Sequence, residues 1–213
     1  MAKNRFNRNW MNAHLSDSYV KRARKEGYRS RAAFKLQEID EDARLFKSGQ
    51  LVVDLGASPG SWSQYVIRKM GREKGRTKGE VIGIDLLPVD EMEGMQFLQG
   101  DFREEETLIR LRQMLGDRKV DVILSDMAPN LSGIAVADAA SMEDLVDMTL
   151  DFAREYLKPG GAVLVKCFNG QGYNDILGKF RQTFTSVSPK KPGASRSQSS
   201  EIYLLGRGLK AIR

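Results

Sequence analysis

An α/β fold is what this sequence predicts: a doubly wound, mostly parallel sheet with helices on both faces, in one domain. Three observations carry that expectation. Five short apolar runs recur along the chain, LVVDLG (51–56), VIGIDLL (81–87), VDVILSD (120–126), AVLVKCF (162–168) and EIYLLG (201–206). Four of them are nearly continuously apolar, the pattern of strands buried on both faces. Stretches with helical spacing separate them, as parallel crossovers require.

In chain order, residues 15–43 read as two basic helices joined near GYRS. LVVDLG follows as the first strand. Segment 61–70 places Trp62, Tyr65 and Val66 at helical spacing, and its helix is expected to begin near Pro59, a residue suited to a first helical position. VIGIDLL and a further short strand, ending before LQGDF, come next. Segment 104–115 sets Leu108, Leu111 and Leu115 on one helix face. After VDVILSD, segment 140–157 does so with Met142, Leu145, Val146, Ala153, Tyr156 and Leu157, and KPGG (158–161) stops that helix. AVLVKCF and EIYLLG complete the sheet. Flexibility is expected in the N-terminal dozen residues, in REKGRTKG (72–79) and in PKKPGASRSQS (189–199). Residues 1–43 are taken as a basic arm and helices packed on the domain that 44–213 builds.

Composition excludes several classes. Hydrophobic content of 41% and charged content of 29% belong to an ordinary globular protein. No apolar run approaches the roughly 20 residues that span a bilayer. The basic N-terminus, MAKNRFNRNWMNAHLS, lacks the apolar core of a signal peptide. A single cysteine, Cys167, leaves no internal disulfide and suits a reducing compartment, so a cytoplasmic protein is expected. Charge is unevenly placed. Residues 1–35 hold ten Lys/Arg against Asp17 and Glu26, a local +8 where the whole chain carries +6. A basic extension on a near-neutral body points to a polyanion, because clustered cations gain by releasing phosphate counterions. The bland reading is a solvated arm.

The first motif is DLGASPGSWSQ (54–64), a strand end, a small-residue turn and a helix start. Gly56 and Gly60 let the backbone approach a ligand closely. No Gly-Lys-Ser/Thr follows, and G-x-G-x-x-G is absent, so neither a phosphate cradle nor a dinucleotide pyrophosphate seat is present. A cofactor without phosphates fits better. Asp85, ending the next strand, would accept hydrogen bonds from ribose hydroxyls. It lies 29 residues beyond Gly56, later than usual, and the 72–79 insert accounts for the delay. Asp101, in LQGDF, is placed to hold an adenine amino group. Trp62, just after Gly60, is read as a cofactor contact over plain core packing. Singly, each acid could be a loop cap; their order along the strands is what points to a cofactor.

The chain resembles the bacterial large-subunit ribosomal RNA (uridine-2′-O)-methyltransferases of the FtsJ/RrmJ type over nearly its full length. The blocks that carry the resemblance are HLSDSYVKRARKEGYRSRAAFKLQEI (14–39), VVDLGASPGSWSQYV, DLLPVD, FLQGDFR, SDMAPNLSG, LVKCFNGQG and SRSQSSEIYLLG. Ser58 and Ser61 depart from the Ala and Gly that relatives often carry, both small enough for the turn to survive. The resemblance implies a Rossmann-like, class I S-adenosylmethionine-dependent methyltransferase fold of seven strands with the last one antiparallel. It also implies S-adenosyl-L-methionine as cofactor and ribosomal RNA as partner, with a uridine of the aminoacyl-tRNA-binding loop as target. Metal, membrane and oligomerisation have no place in this expectation.

The resemblance further implies that Lys35, Asp126, Lys166 and Glu201 form a catalytic tetrad. Ligands in open α/β sheets sit beyond the carboxyl ends of the strands, which puts Asp126 and Lys166 together. With the last strand reversed, Glu201 returns to the same edge, and Lys35 must arrive from the N-terminal helices. A ribose hydroxyl is a poor nucleophile at neutral pH and must lose its proton as the new bond forms. Lys166 is the candidate base, or else a protonated group that steers the hydroxyl; Asp126 serves both cofactor and tetrad. Each residue alone has a bland reading: a snorkelling Lys166, an edge-strand Glu201, a turn-capping Asp126. His14, the only histidine, is read as structural, with no metal cluster to join. Cys167 faces away from Lys166 as a core thiol. For RNA, the phosphate-following cations are Lys21, Arg22, Arg24, Lys25, Arg29 and Arg31, with Lys190, Lys191 and Arg196 beside the active edge. The rivals are a methyltransferase of proteins or small molecules and a non-catalytic RNA-binding factor on a degenerate fold.

Overall fold

Side-chain alternation along the central strands feeds two cores at once, which fixes a sheet between two helical layers. The computed structural model describes residues 17–196 and 198–211; His14 and the basic residues Lys3, Arg5 and Arg8 lie outside them. Strand β1 (Leu51–Leu55) sends Val53 and Leu55 to one face and Val52 to the other. Strands β6 (Val120–Ser125) and β7 (Leu157–Phe168) alternate likewise, Ile123, Val163 and Val165 against Val122, Leu124 and Leu164. The first face packs on α4 (Glu105–Leu115), α5 (Ala135–Tyr156) and α6 (Tyr173–Thr183), through Leu111, Leu150 and Phe180 among others. The second packs on α2 (Ala32–Ala43) and α3 (Ser61–Met70), through Leu36, Ile39, Trp62 and Val66. Burying both faces is why these strands read as near-continuous apolar runs.

The sheet has seven strands in the order β5-β4-β1-β6-β7-β9-β8, with β4 at Glu80–Asp85, β5 at Met95–Gln99, β8 at Phe184–Lys190 and β9 at Glu201–Leu209. β9 runs antiparallel between β7 and β8, so the expected reversed last strand is present. Its first residue, Glu201, lies opposite Phe168 at the end of β7, and Tyr203 lies opposite Lys166. Cys167 between them turns to the other face, wholly buried, and burial pushes its thiol up to about 12.

The structure corrects several local expectations. Helix α3 starts at Ser61, because Gly60 N–H first closes a turn onto the Ala57 carbonyl (2.6 Å); Pro59, after a cis peptide, belongs to that turn. The 72–79 insert forms a hairpin, β2 (Arg72–Glu73) with β3 (Arg76–Thr77), around Lys74 and Gly75, both at positive φ as a two-residue hairpin turn demands. The 189–199 segment starts as the end of β8 and then buries Ala194 against Ala23 and Phe34. Helix α5 begins at Ala135, earlier than its periodicity suggests, and KPGG opens β7. Helix α6 and edge strand β8 have no counterpart in the sequence reading: Gly178 interrupts the first, and Thr and Ser dilute the second. At the N-terminus, Asp17 caps α1 (Ser18–Glu26) by accepting from Tyr19 N–H at 2.9 Å.

Candidate active site

A cavity of about 420 Å³ opens where β1, β4, β5 and β6 end. Gly56, Ser58, Asp85, Asp101, Asp126 and Asp144 are among its walls. Gly56 has φ 79°, and a Cβ there would lie 2.8 Å from Met127 N, so only glycine lets the β1 and β6 loops approach this closely. Asp85 accepts from Ser58 N–H and Leu87 N–H, each at 2.8 Å, so its carboxylate holds the turn that forms the floor. Asp101 is gripped by the Arg103 guanidinium, whose hydrogen bonds hold its carboxyl below the usual range against a smaller push from burial. Gly60 and Trp62 are not among the lining residues. Trp62 is core instead: its ring packs 5.5 Å from that of Tyr203, and its Nε1–H donates to the Ala32 carbonyl at 2.8 Å. Beneath the cavity, Asp54 is fully buried. Burial pushes its carboxyl to about 7, with the charges of Asp126 and Asp85 adding to the rise and Ser63 Oγ, donating at 2.6 Å, opposing it. Its other oxygen has no partner among the described residues.

Four charged residues far apart in sequence meet beside this cavity as two ion pairs. Lys166 Nζ lies 3.1 Å from Asp126 Oδ1 and also donates to the Asp126 carbonyl. Lys35 Nζ lies 2.8 Å from Glu201 Oε1 and 2.9 Å from Oε2. Glu201 takes a further bond from Ser195 Oγ at 2.9 Å. Burial alone would raise the Glu201 carboxyl, but Lys35, Ser195 and the charge of Lys166 outweigh it and hold the group ionised. The sequence reading missed the group that joins the pairs. Tyr203 O–H donates to Asp126 Oδ1 at 3.1 Å and faces Glu201 as well, and burial first, then both carboxylates, keep it protonated. The signal was available: in a strand, Glu201 and Tyr203 share a face.

Lys35 reaches this cleft because the turn between α1 and α2 is latched onto the start of α3. Arg29 donates to the carbonyls of Pro59 (3.1 Å) and Glu91 (3.0 Å), Ser30 Oγ bonds Ser61 Oγ (2.9 Å), and Gln64 donates to the Gly27 carbonyl (2.7 Å). The expected phosphate contacts divide. Lys21, Arg24 and Lys25 are exposed and have no carboxylate partner among the described residues. Lys190 instead pairs with Asp42 at 2.5 Å. Lys191 is spent on the carbonyls of Ser199 and Glu201, where it staples the loop that delivers Glu201. A second cavity, about 640 Å³, lies beside Ser195 and is lined by Asp17, Tyr19, Arg31 and Arg196 among others. Among the described residues no helix could cross a membrane, and no three His, Cys, Asp or Glu gather as a metal site.

The seven-stranded sheet with its reversed strand beside β7 and the acidic cavity at its carboxyl edge, taken with the family match that follows, make this a Rossmann-like, S-adenosylmethionine-dependent methyltransferase. The family model of FtsJ-like methyltransferases matches residues 28–209, and the chain belongs to that family. It is 58% identical, over 99% of both chains, to ribosomal RNA large subunit methyltransferase E of Janthinobacterium sp. (strain Marseille). The protein of the same name from Burkholderia lata is 54% identical over the whole of both chains. Among solved structures, a Plasmodium falciparum protein provisionally described as a ribosomal RNA methyltransferase superposes with a TM-score of 0.75. It is 30% identical, over 85% of this chain and 98% of that one. A Methanococcus jannaschii fibrillarin pre-rRNA processing protein shares the fold, with a TM-score of 0.53 and 16% identity over 78% of this chain and 69% of its own.

Proposed function

We propose that this enzyme methylates a ribose 2′-hydroxyl of large-subunit ribosomal RNA, with a uridine of the aminoacyl-tRNA-binding loop as the expected target. The observation that carries the reading is the Lys166–Asp126 pair standing at the rim of the cofactor cavity, with Lys35–Glu201 beside it. S-adenosylmethionine supplies a methyl group made electrophilic by its sulfonium. The residues present suit that ligand: four carboxylates line the cavity against a net-cationic molecule, and Gly56 admits it to the backbone. Asp85 would take the ribose hydroxyls and Asp101 the adenine edge, once Arg103 yields.

The chain's own work is positioning and proton handling. Asp126 and Tyr203 fix Lys166 so that its Nζ meets the incoming 2′-oxygen, and orientation of this kind supplies much of the rate of an in-line displacement. Lys166 as base removes the hydroxyl proton as the new bond forms. One observation favours a second reading. One of the two acceptors that engage Lys166 is a carboxylate, which suits an ammonium, whose third proton would then steer the oxygen and stabilise developing charge. Lys35, tied to Glu201, adds positive charge on the substrate side. Residues 1–43 and 44–213 act in this reading as one cytoplasmic, monomeric, metal-free unit, the exposed cations of α1 following RNA phosphates.

Two rivals make different predictions. A protein or small-molecule methyltransferase has no use for the exposed cations of α1, and a non-catalytic assembly factor has no use for the tetrad. Incubation of large-subunit RNA and of assembled subunits with methyl-labelled cofactor, followed by nuclease mapping, tests the reading. Label at a single ribose 2′-oxygen is expected. Label on a base or on protein, or cofactor binding without transfer, would overturn it.

A further inference from the structure

Among the described residues six large hydrophobics are well exposed: Leu86, Leu87, Ile109, Leu131, Ile134 and Val136. Five of the six lie on, or directly follow, chain segments that line the cofactor cavity. Leu86 lines it and Leu87 follows; on the other side Asp126 to Asn130 line it, and the apolar trio comes directly after. Leu131, Ile134 and Val136 each expose over 60% of their surface. The turn between Leu131 and Ile134 is tied to the helix that follows it. Asp138 accepts from Ser132 N–H and Ser132 Oγ, both at 2.7 Å, and from Gly133 N–H at 3.1 Å. In a chain that is 29% charged, the eleven residues 127–137 carry no charge at all.

An uncharged, apolar lip beside Asp126 is unsuited to phosphates, which the exposed cations of α1 can follow. It suits the faces of bases. A ribose 2′-hydroxyl lies at the sugar edge, but Lys166 is recessed, its side chain only 10% exposed. The nucleotide therefore has to be turned out of a stacked loop for its ribose to enter the cleft, and the vacated stack leaves base faces for an apolar filler. We propose that Leu131, Ile134 and Val136 form an apolar wedge that enters the RNA base stack beside the methylated nucleotide and holds that nucleotide splayed over Lys166. The inference rests on the ribose-methylation reading and adds to it the recognition of substrate shape.

The test uses the full chain and the triple substitution L131S/I134S/V136S, which leaves the tetrad and the Asp138 bonds intact. Mapping of the methylated ribose with unsubstituted enzyme comes first; its failure would remove the function and not the wedge alone. A stem–loop RNA with 2-aminopurine beside the mapped nucleotide then reports unstacking. The unsubstituted enzyme is expected to raise its fluorescence severalfold, and the triple variant, with unchanged cofactor affinity, to leave it near the free-RNA value. Methyl transfer to the stem–loop should fall by roughly 10- to 100-fold in kcat/KM, and far less on a short unstructured oligonucleotide. Equal fluorescence with both enzymes, or equal loss on both RNAs, would overturn the wedge. So would loss seen only on assembled subunits, which would make the occupant a protein, or loss accompanied by a change from dimer to monomer.

Discussion

Replacing Lys166 by Ala and, separately, by Arg tests the mechanism most sharply. The Lys166 side chain is 10% exposed and Asp126 is 21% exposed, so the pair is largely but not wholly withdrawn from water. Removing one partner of a sealed pair costs about 3–5 kcal/mol. Here Asp126 keeps its bond from Tyr203 and faces an open cavity, so the cost should be nearer 1–2 kcal/mol and the Ala variant should fold. Turnover is another matter. Loss of a general base is typically worth ~10²–10⁴ in rate, and lost orientation adds to it. Single-turnover transfer of labelled methyl to RNA should therefore fall by at least ~10³ in Lys166→Ala, while calorimetry shows cofactor affinity nearly unchanged. Arg keeps the charge but does not deprotonate in a protein. If Lys166 is the base, Lys166→Arg is nearly as dead as Ala. Substantial activity in the Arg variant would refute the base and establish steering; near-native turnover in either variant would refute the tetrad.

Further outcomes are expected elsewhere in the site. Asp85→Ala should weaken cofactor binding by roughly 10- to 100-fold, since charge-assisted bonds are worth about 1.5–3 kcal/mol; unchanged affinity by calorimetry would take Asp85 out of the site. Asp54, raised to about 7 by burial, binds more protons in the folded chain than in the unfolded one between about pH 4 and 7. Its contribution to stability is therefore present at low pH and lost as pH rises through that window. The stability of Asp54→Asn relative to the native chain should climb by on the order of 4 kcal/mol across it, read from denaturant midpoints, and a flat difference would show Asp54 ionised throughout. Arg196→Ala should lower the log–log salt slope of RNA binding by about 1, whereas Lys190→Ala, whose charge Asp42 already engages, should leave it alone. Equal effects of the two would mean that the Lys190–Asp42 pair opens on RNA.

The fold and the cavity were legible in sequence because they depend on short-range pattern. Continuous apolar runs announce strands buried on both faces, and acids at the ends of three strands announce the carboxyl edge where Asp85, Asp101 and Asp126 line one cavity. The resemblance brought Lys35, Asp126, Lys166 and Glu201 to notice, and topology accounts for their meeting. Where periodicity is weak the sequence was silent: Gly178 hides α6, and edge strand β8 buries only Phe184. Tertiary structure alone decided the partners of polar groups. A lysine at a loop reads as a phosphate contact until a distant carboxylate claims it, as Asp42 claims Lys190 across the chain. Trp62 reads as a cofactor contact until its indole is seen between Ala32 and Tyr203. Tyr203 gains its place only because the β7–β9 register sets it opposite Lys166. The physical reason is common to all three. Hydrophobic burial is non-directional and leaves a periodic trace in the chain, whereas hydrogen bonds and ion pairs act over a few ångströms in fixed directions, between groups that sequence order does not bring together.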